Sequence, residues 1–113
     1  MRFRLPPKQV FPHAISYNAI DGEDDWGKPI FSNPIELPHA RIDEGYDFKR
    51  HGINATENAP NALVVIFKQY NPDMPILENE GIVNFNGKEF TIVKAIPLYF
   101  MSDEIIGYEL EVK

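Results

Sequence analysis

Ten prolines, at positions 6, 7, 12, 29, 34, 38, 60, 72, 75 and 97, interrupt nearly the whole chain. Inside a helix a proline removes a hydrogen bond, clashes with the preceding turn and costs about 3 kcal/mol, so few windows can hold a long helix. The stretches between the prolines read as strands. Residues 13–20 alternate, with Ile15, Tyr17 and Ala19 on one side and Ser16 and Asn18 on the other. Residues 35–42 are a second candidate, and Pro38 inside them predicts an edge or a bulge. Residues 62–70, ALVVIFKQY, are rich in β-branched and aromatic side chains and bounded by Pro60 and Pro72.

The last third is the clearest piece. Residues 81–85 and 88–96 flank Asn86-Gly87, and both of these residues tolerate positive φ. That dipeptide between two apolar runs predicts a hairpin with a type I′ turn. Phe90, Ile92 and Ile96 are expected on one face of the second strand, Thr91 and Val93 on the other. A final run places Tyr108, Leu110 and Val112 inward and Glu109 and Glu111 outward.

A chain of 113 residues is the size of one domain. With 43% hydrophobic and 25% charged residues it has the means to build a core. The expected fold is all-β: a small antiparallel β-barrel or sandwich of about six strands over residues 1–113, with at most one short helical turn near residues 102–106. Residues 1–11 form a basic N-terminal arm, read as solvated. Two connections are long: the turn-rich link 21–33, and the polar loop 44–61, which lacks a clean period.

The longest apolar run, residues 62–67, is far below the ~18 residues of a membrane span. The first twelve residues carry charge and prolines but no apolar stretch, so no secretory signal and no membrane partner are expected. Cysteine is absent, which excludes a disulfide framework, cysteine catalysis and cysteine-ligated zinc. The net charge is −6, against the basic excess usual for a protein that grips nucleic acid. The imbalance is uneven. Arg2, Arg4 and Lys8 face no acid in the first twenty residues, whereas residues 73–111 hold eight acids against Lys88 and Lys94.

No arrangement of residues points to catalysis, a cofactor or a metal. Asp21, Glu23, Asp24 and Asp25 look like a calcium loop until they are spaced out: Trp26 stands where the sharp-turn glycine must be, and Ser32 where the bidentate Glu must be. They read as a solvated turn. His13, His39 and His51 lack ligand spacing, and the serines lack a nucleophile-elbow context. Enzyme activity is therefore not expected. Trp26 is expected to plug the end of the core. Tyr46 and Phe48, in a polar loop beside Lys49 and Arg50, are expected to form a partner contact. The residues alone describe an acidic β-domain built to touch other proteins.

The order of four segments adds a family. DDWGKPIFSNP (24–34), HARID (39–43), FNGKEFTIVKAIP (85–97) and GYELEVK (107–113) resemble the minor capsid proteins of tailed bacteriophages and prophages, small head-tail connector or head-completion proteins of long-tailed phages. The resemblance spans roughly residues 16–112. It implies a structural virion protein at the head-tail junction, assembled in the bacterial cytoplasm. Such a stopper forms a ring under the portal and its adaptor, retains packaged DNA and offers the tail-completion protein a docking surface. DNA then passes without specific binding, and Glu78, Glu80 and Asp103 are candidate channel-facing acids. The loop 44–61, and after it residues 73–80, are the segments expected to move. An adaptor or tail-terminator role at the same junction, or a monomeric β-barrel module binding protein or peptide, are the alternatives.

Overall fold

Asn86 and Gly87 adopt φ of 52° and 79°, the left-handed pair that a type I′ turn requires. They join β6 (Ile82–Phe85) to β7 (Lys88–Tyr99), in the register Phe85↔Lys88 to Ile82↔Thr91. The computed structural model describes residues 5–45, 60–101 and 103–113. Around this hairpin lie β1 (His13–Asn18), β4 (Ile35–Asp43), β5 (Ala62–Phe67) and β8 (Ile105–Val112). These six strands close into an antiparallel barrel in the order β1-β4-β5-β8-β7-β6. Two further strands, β2 (Ile20–Glu23) and β3 (Pro29–Phe31), pair only with each other. The fold is all-β, and closure leaves the barrel with no open edge.

One of the two long connections is thus a two-stranded ribbon. Among the described residues, helical structure is limited to 3-10 turns at Lys8–Val10 and Lys68–Tyr70. None forms at 103–106, because β8 has already begun at Ile105, which pairs with Tyr99.

Bulges set the barrel's curvature. Between β1 and β4 the register runs from His13↔Ala40 to Ile15↔Leu37, so Pro38 and His39 together face Ala14. Pro38 therefore sits at a bulge, as a proline within a paired strand must. A second irregularity falls in β7 between Ile92↔Val112 and Lys94↔Glu111. It reverses the inward–outward phase. Phe90 and Ile92 are buried before it, but Ile96 pairs with the outward Glu109, and Ala95, opposite buried Leu110, packs on the core instead. The single face expected for Phe90, Ile92 and Ile96 is broken by that extra residue.

The core runs through Ile15, Tyr17, Leu37, Ile42, Val64, Ile66, Val83, Ile92, Leu110 and Val112. Each such side chain contributes about 1.5–3 kcal/mol on leaving water. β8 alternates as its sequence predicts, with Tyr108, Leu110 and Val112 buried. The basic arm keeps Lys8 exposed but is held to the barrel at two points, and Arg2 and Arg4 lie outside the described residues. Phe11 is buried edge-on against Phe67, with ring centres 5.5 Å apart, and the Tyr70 hydroxyl donates to the Pro6 carbonyl at 2.9 Å.

Residues 73–80, the second segment expected to move, are stitched to the barrel. Met74 and Leu77 enter the core. The Glu78 N–H donates to the Tyr17 hydroxyl at 3.2 Å, the Glu80 N–H to the Ile92 carbonyl at 2.7 Å, and the Ala95 N–H to Asn79 Oδ1 at 2.8 Å. Because the strands alternate in direction, the β1–β4, β5–β6 and β7–β8 connections emerge at one end of the barrel.

Candidate functional site

Among the described residues, several titratable side chains serve the fold. His13 Nδ1 accepts the Ile42 N–H at 3.1 Å, and its ring stands edge-on to Phe85. His39 is held through its backbone at the β4 bulge. No group of three or more His, Asp or Glu side chains placed to hold a metal occurs among the described residues. Nor does any helix there have the length and apolarity to cross a membrane. Tyr17 lies deep in the barrel, and its phenol is shifted by its surroundings. Burial pushes its phenol up, the Glu78 N–H pulls it back, and the Glu78 carboxyl and Tyr108 add small upward contributions. It is a core residue.

All four acids of the run are exposed, but only Asp24 and Asp25 fall in the turn, while Asp21 and Glu23 belong to β2. Asp24 Oδ1 accepts the N–H groups of Trp26 and Lys28 at 2.8 and 2.9 Å, closing the tip of the β2–β3 ribbon. One carboxylate thus serves the backbone of its own turn. The ribbon's root is fastened as well. Asn18 Nδ2 donates to the Ser32 carbonyl at 2.9 Å, the Ala19 N–H to Ser32 Oγ at 3.1 Å, and the Ser32 N–H to the Ala19 carbonyl at 2.8 Å.

This geometry corrects the expectation for Trp26. The indole does not plug the barrel; it is 87% exposed, at the ribbon tip. Met74 and Leu77 pack into the core, and the ribbon carries residues 20–31 clear of it. Ile30 and Phe31 follow Trp26 as exposed apolar groups. The sequence did hold a signal for this: Gly22 and Gly27, both at positive φ, bracket the turn between the apolar positions Ile20 and Ile30.

Of the expected site residues, Tyr46, Phe48, Lys49 and Arg50 lie outside the described residues. Glu78 and Glu80 are exposed and share the β5–β6 connection, and Asp103 is exposed in the β7–β8 turn. The three do not form one cluster. Glu80 is bonded beside Ile92, whereas Asp103 follows the far end of the same strand, β7.

Two clefts accompany the exposed groups. One, of 690 Å³, separates the ribbon (Ile20, Pro29, Phe31) from Ile82, Thr91 and Ile92 on the barrel wall. The other, of 420 Å³, lies between the Lys68–Tyr70 turn and the β7–β8 tip, lined by Leu5, Lys68, Pro72, Phe100, Ile105 and Ile106. Tyr99, 53% exposed, and Met101, 89% exposed, belong to the same tip. The ribbon joins β1 to β4, and the tip joins β7 to β8. In the six-strand ring each of the first pair stands three places from one of the second, so the two features rise from opposite walls. Among the described residues, most of the large exposed apolar side chains lie on these two features of a closed barrel.

A family model described as minor capsid protein matches residues 7–112. No curated protein matches the chain.

Proposed function

Since the chain belongs to the minor capsid protein family, a family of structural virion components, we propose that it works at the head-tail junction of a tailed phage as a ring-forming head-completion, or stopper, component. In that role it extends the portal channel, retains packaged DNA and gives the tail a place to dock. Its partners are the portal or adaptor proteins on one side, a tail-completion protein on the other, and further copies of itself around the ring. The observation that carries this reading is the family match over nearly the whole length of a closed barrel with a projecting ribbon. Cyclic assembly needs two different complementary surfaces on each subunit, and a barrel with projections on opposite walls supplies them.

Two local roles accompany the proposal. Glu78, Glu80 and Asp103 face the channel, where carboxylates repel phosphate and let DNA slide. Tyr46, Phe48, Lys49 and Arg50, in the β4–β5 connection, contact a neighbouring protein. Placement of the acids at separate points around one end of the barrel fits a lining better than it fits a binding pocket.

The test is complementation. Particles from a phage lacking this gene are examined by electron microscopy before and after adding the purified protein. Free tails beside empty or leaking heads, joined and filled once the protein is added, are the expected result. Normal virions without the gene would remove the proposal. The order in which portal, adaptor and tail proteins join separates a stopper from an adaptor or tail terminator.

A further inference from the structure

Six large hydrophobic side chains are exposed among the described residues, and five of them fall in two groups. Trp26, Ile30 and Phe31 lie on the β2–β3 ribbon; Tyr99 and Met101 lie on the β7–β8 tip, beside the 420 Å³ cleft. Ile30 and Phe31 are neighbours in one strand and stand on opposite faces of the ribbon, so the indole at its tip is the most exposed apolar group it offers a partner. An isolated two-stranded ribbon is also marginal in water and gains by being covered.

The two groups complement each other. The ribbon presents a projecting indole, and the cleft is a recess lined by Leu5, Pro72, Phe100, Ile105 and Ile106, with space for such a ring. The ribbon is acidic, with Asp21, Glu23, Asp24 and Asp25 against Lys28. At the cleft, Lys68 and Glu104 both stand on the rim. A lysine beside a docked indole meets both the carboxylates and the ring face. Projection and recess rise from opposite walls of one molecule, so neither can fill the other within a chain. Both emerge at the same end of the barrel, which suits a contact that repeats around an axis and closes.

We propose that the occupant of the cleft is the ribbon of a second copy of this chain, with Trp26 of one subunit seated between the Lys68–Tyr70 turn and the β7–β8 tip of the next. The contact is heterologous and head-to-tail. It rests on the ring reading above and names the surfaces of that ring. Trp26 is its anchor, the kind of buried aromatic whose truncation dominates binding loss.

The chain has no cysteine, so introduced thiols report cleanly. Asp25→Cys marks the ribbon and Gln69→Cys marks the cleft, both at exposed positions. Phage particles carrying the full-length chain with both substitutions are treated with a short bismaleimide, and the chain is followed on a denaturing gel. A ladder of covalent multimers is expected. Particles bearing either single substitution stay monomeric on the gel, and adding Trp26→Ala to the double variant cuts the ladder at least about tenfold. Circular dichroism of each purified variant, with unchanged melting, confirms the fold.

Three outcomes overturn the proposal. Equal dimer from Asp25→Cys alone means an isologous contact. Attachment of Asp25→Cys to a different virion protein means that the ribbon's partner is not a second copy. Particles that contain the chain but give no ladder mean that the surfaces do not meet; the head-completion reading then stands or falls on complementation alone.

Discussion

The side-chain amide of Asn71 takes the place of a missing strand for the backbone of His39. The His39 N–H donates to Asn71 Oδ1 at 2.9 Å, and Asn71 Nδ2 donates to the His39 carbonyl at 2.8 Å and to the Phe67 carbonyl at 2.9 Å. β5 ends at Phe67 and turns into a 3-10 segment, which leaves the bulged residue of β4 without a neighbour on that side. Asn71, 1% exposed, is the buried polar residue that completes the ladder.

Asn71→Leu keeps the volume close and deletes all three bonds. The His39 N–H and the two carbonyls are then buried without partners, so the variant is expected to lose about 2–3 kcal/mol. The shift of its urea midpoint at constant slope measures this. A change within experimental error would show that water replaces the amide.

Tyr17 gives a pH dependence of known sign. Its phenol is raised above 10.0 in the folded chain, first of all by burial. In the unfolded chain it ionises near its ordinary value, so the unfolded state loses the proton first. Stability is complete below about pH 10 and falls as pH rises beyond it. Tyr17→Phe is expected to cost about 1 kcal/mol at neutral pH through the lost Glu78 bond and to flatten the alkaline decline. Denaturant midpoints across the alkaline range, wild type against variant, provide the comparison.

Gly107→Ala is expected to destabilise by about 2–3 kcal/mol through overpacking. A Cβ there would lie 2.5 Å from the Ile66 carbonyl oxygen and 2.7 Å from Phe67 Cδ1. The first obstacle is backbone within a paired strand, which cannot rotate aside. A melting temperature equal to that of the parent would show that β5 and β8 can separate locally at no cost.

Trp26 is the only tryptophan. At 87% exposure its fluorescence emission is expected at the wavelength of indole in water and should shift little on unfolding. Far-ultraviolet circular dichroism over the same urea range will show the full transition. A large red shift accompanying unfolding would place the indole in an apolar site instead.

Much of the barrel was legible from local pattern. The Asn86-Gly87 turn, the alternation of β8 and the apolar block of β5 are each specified by neighbours in sequence, and Pro38 marked its own bulge. The β7 irregularity was not legible, because an inserted residue changes the phase without leaving a residue type that announces it. The ribbon was missed for a related reason. Its strands are short, and the charges between them follow turn geometry instead of a strand period. Trp26 was assigned to the core because size and apolarity favour burial, but those properties say nothing about where a ribbon points. Tyr46, Phe48, Lys49 and Arg50 remain a sequence-based proposal, outside the described residues.

No side chain between Ile20 and Phe31 belongs to the buried core, and the segment is tied to the barrel through Asn18, Ala19 and Ser32. The buried core and the ribbon are therefore written in separate stretches of the sequence. Substitutions, insertions or an exchanged tip in that stretch can accumulate without removing a core side chain, so the ribbon is free to diverge on an unchanged barrel.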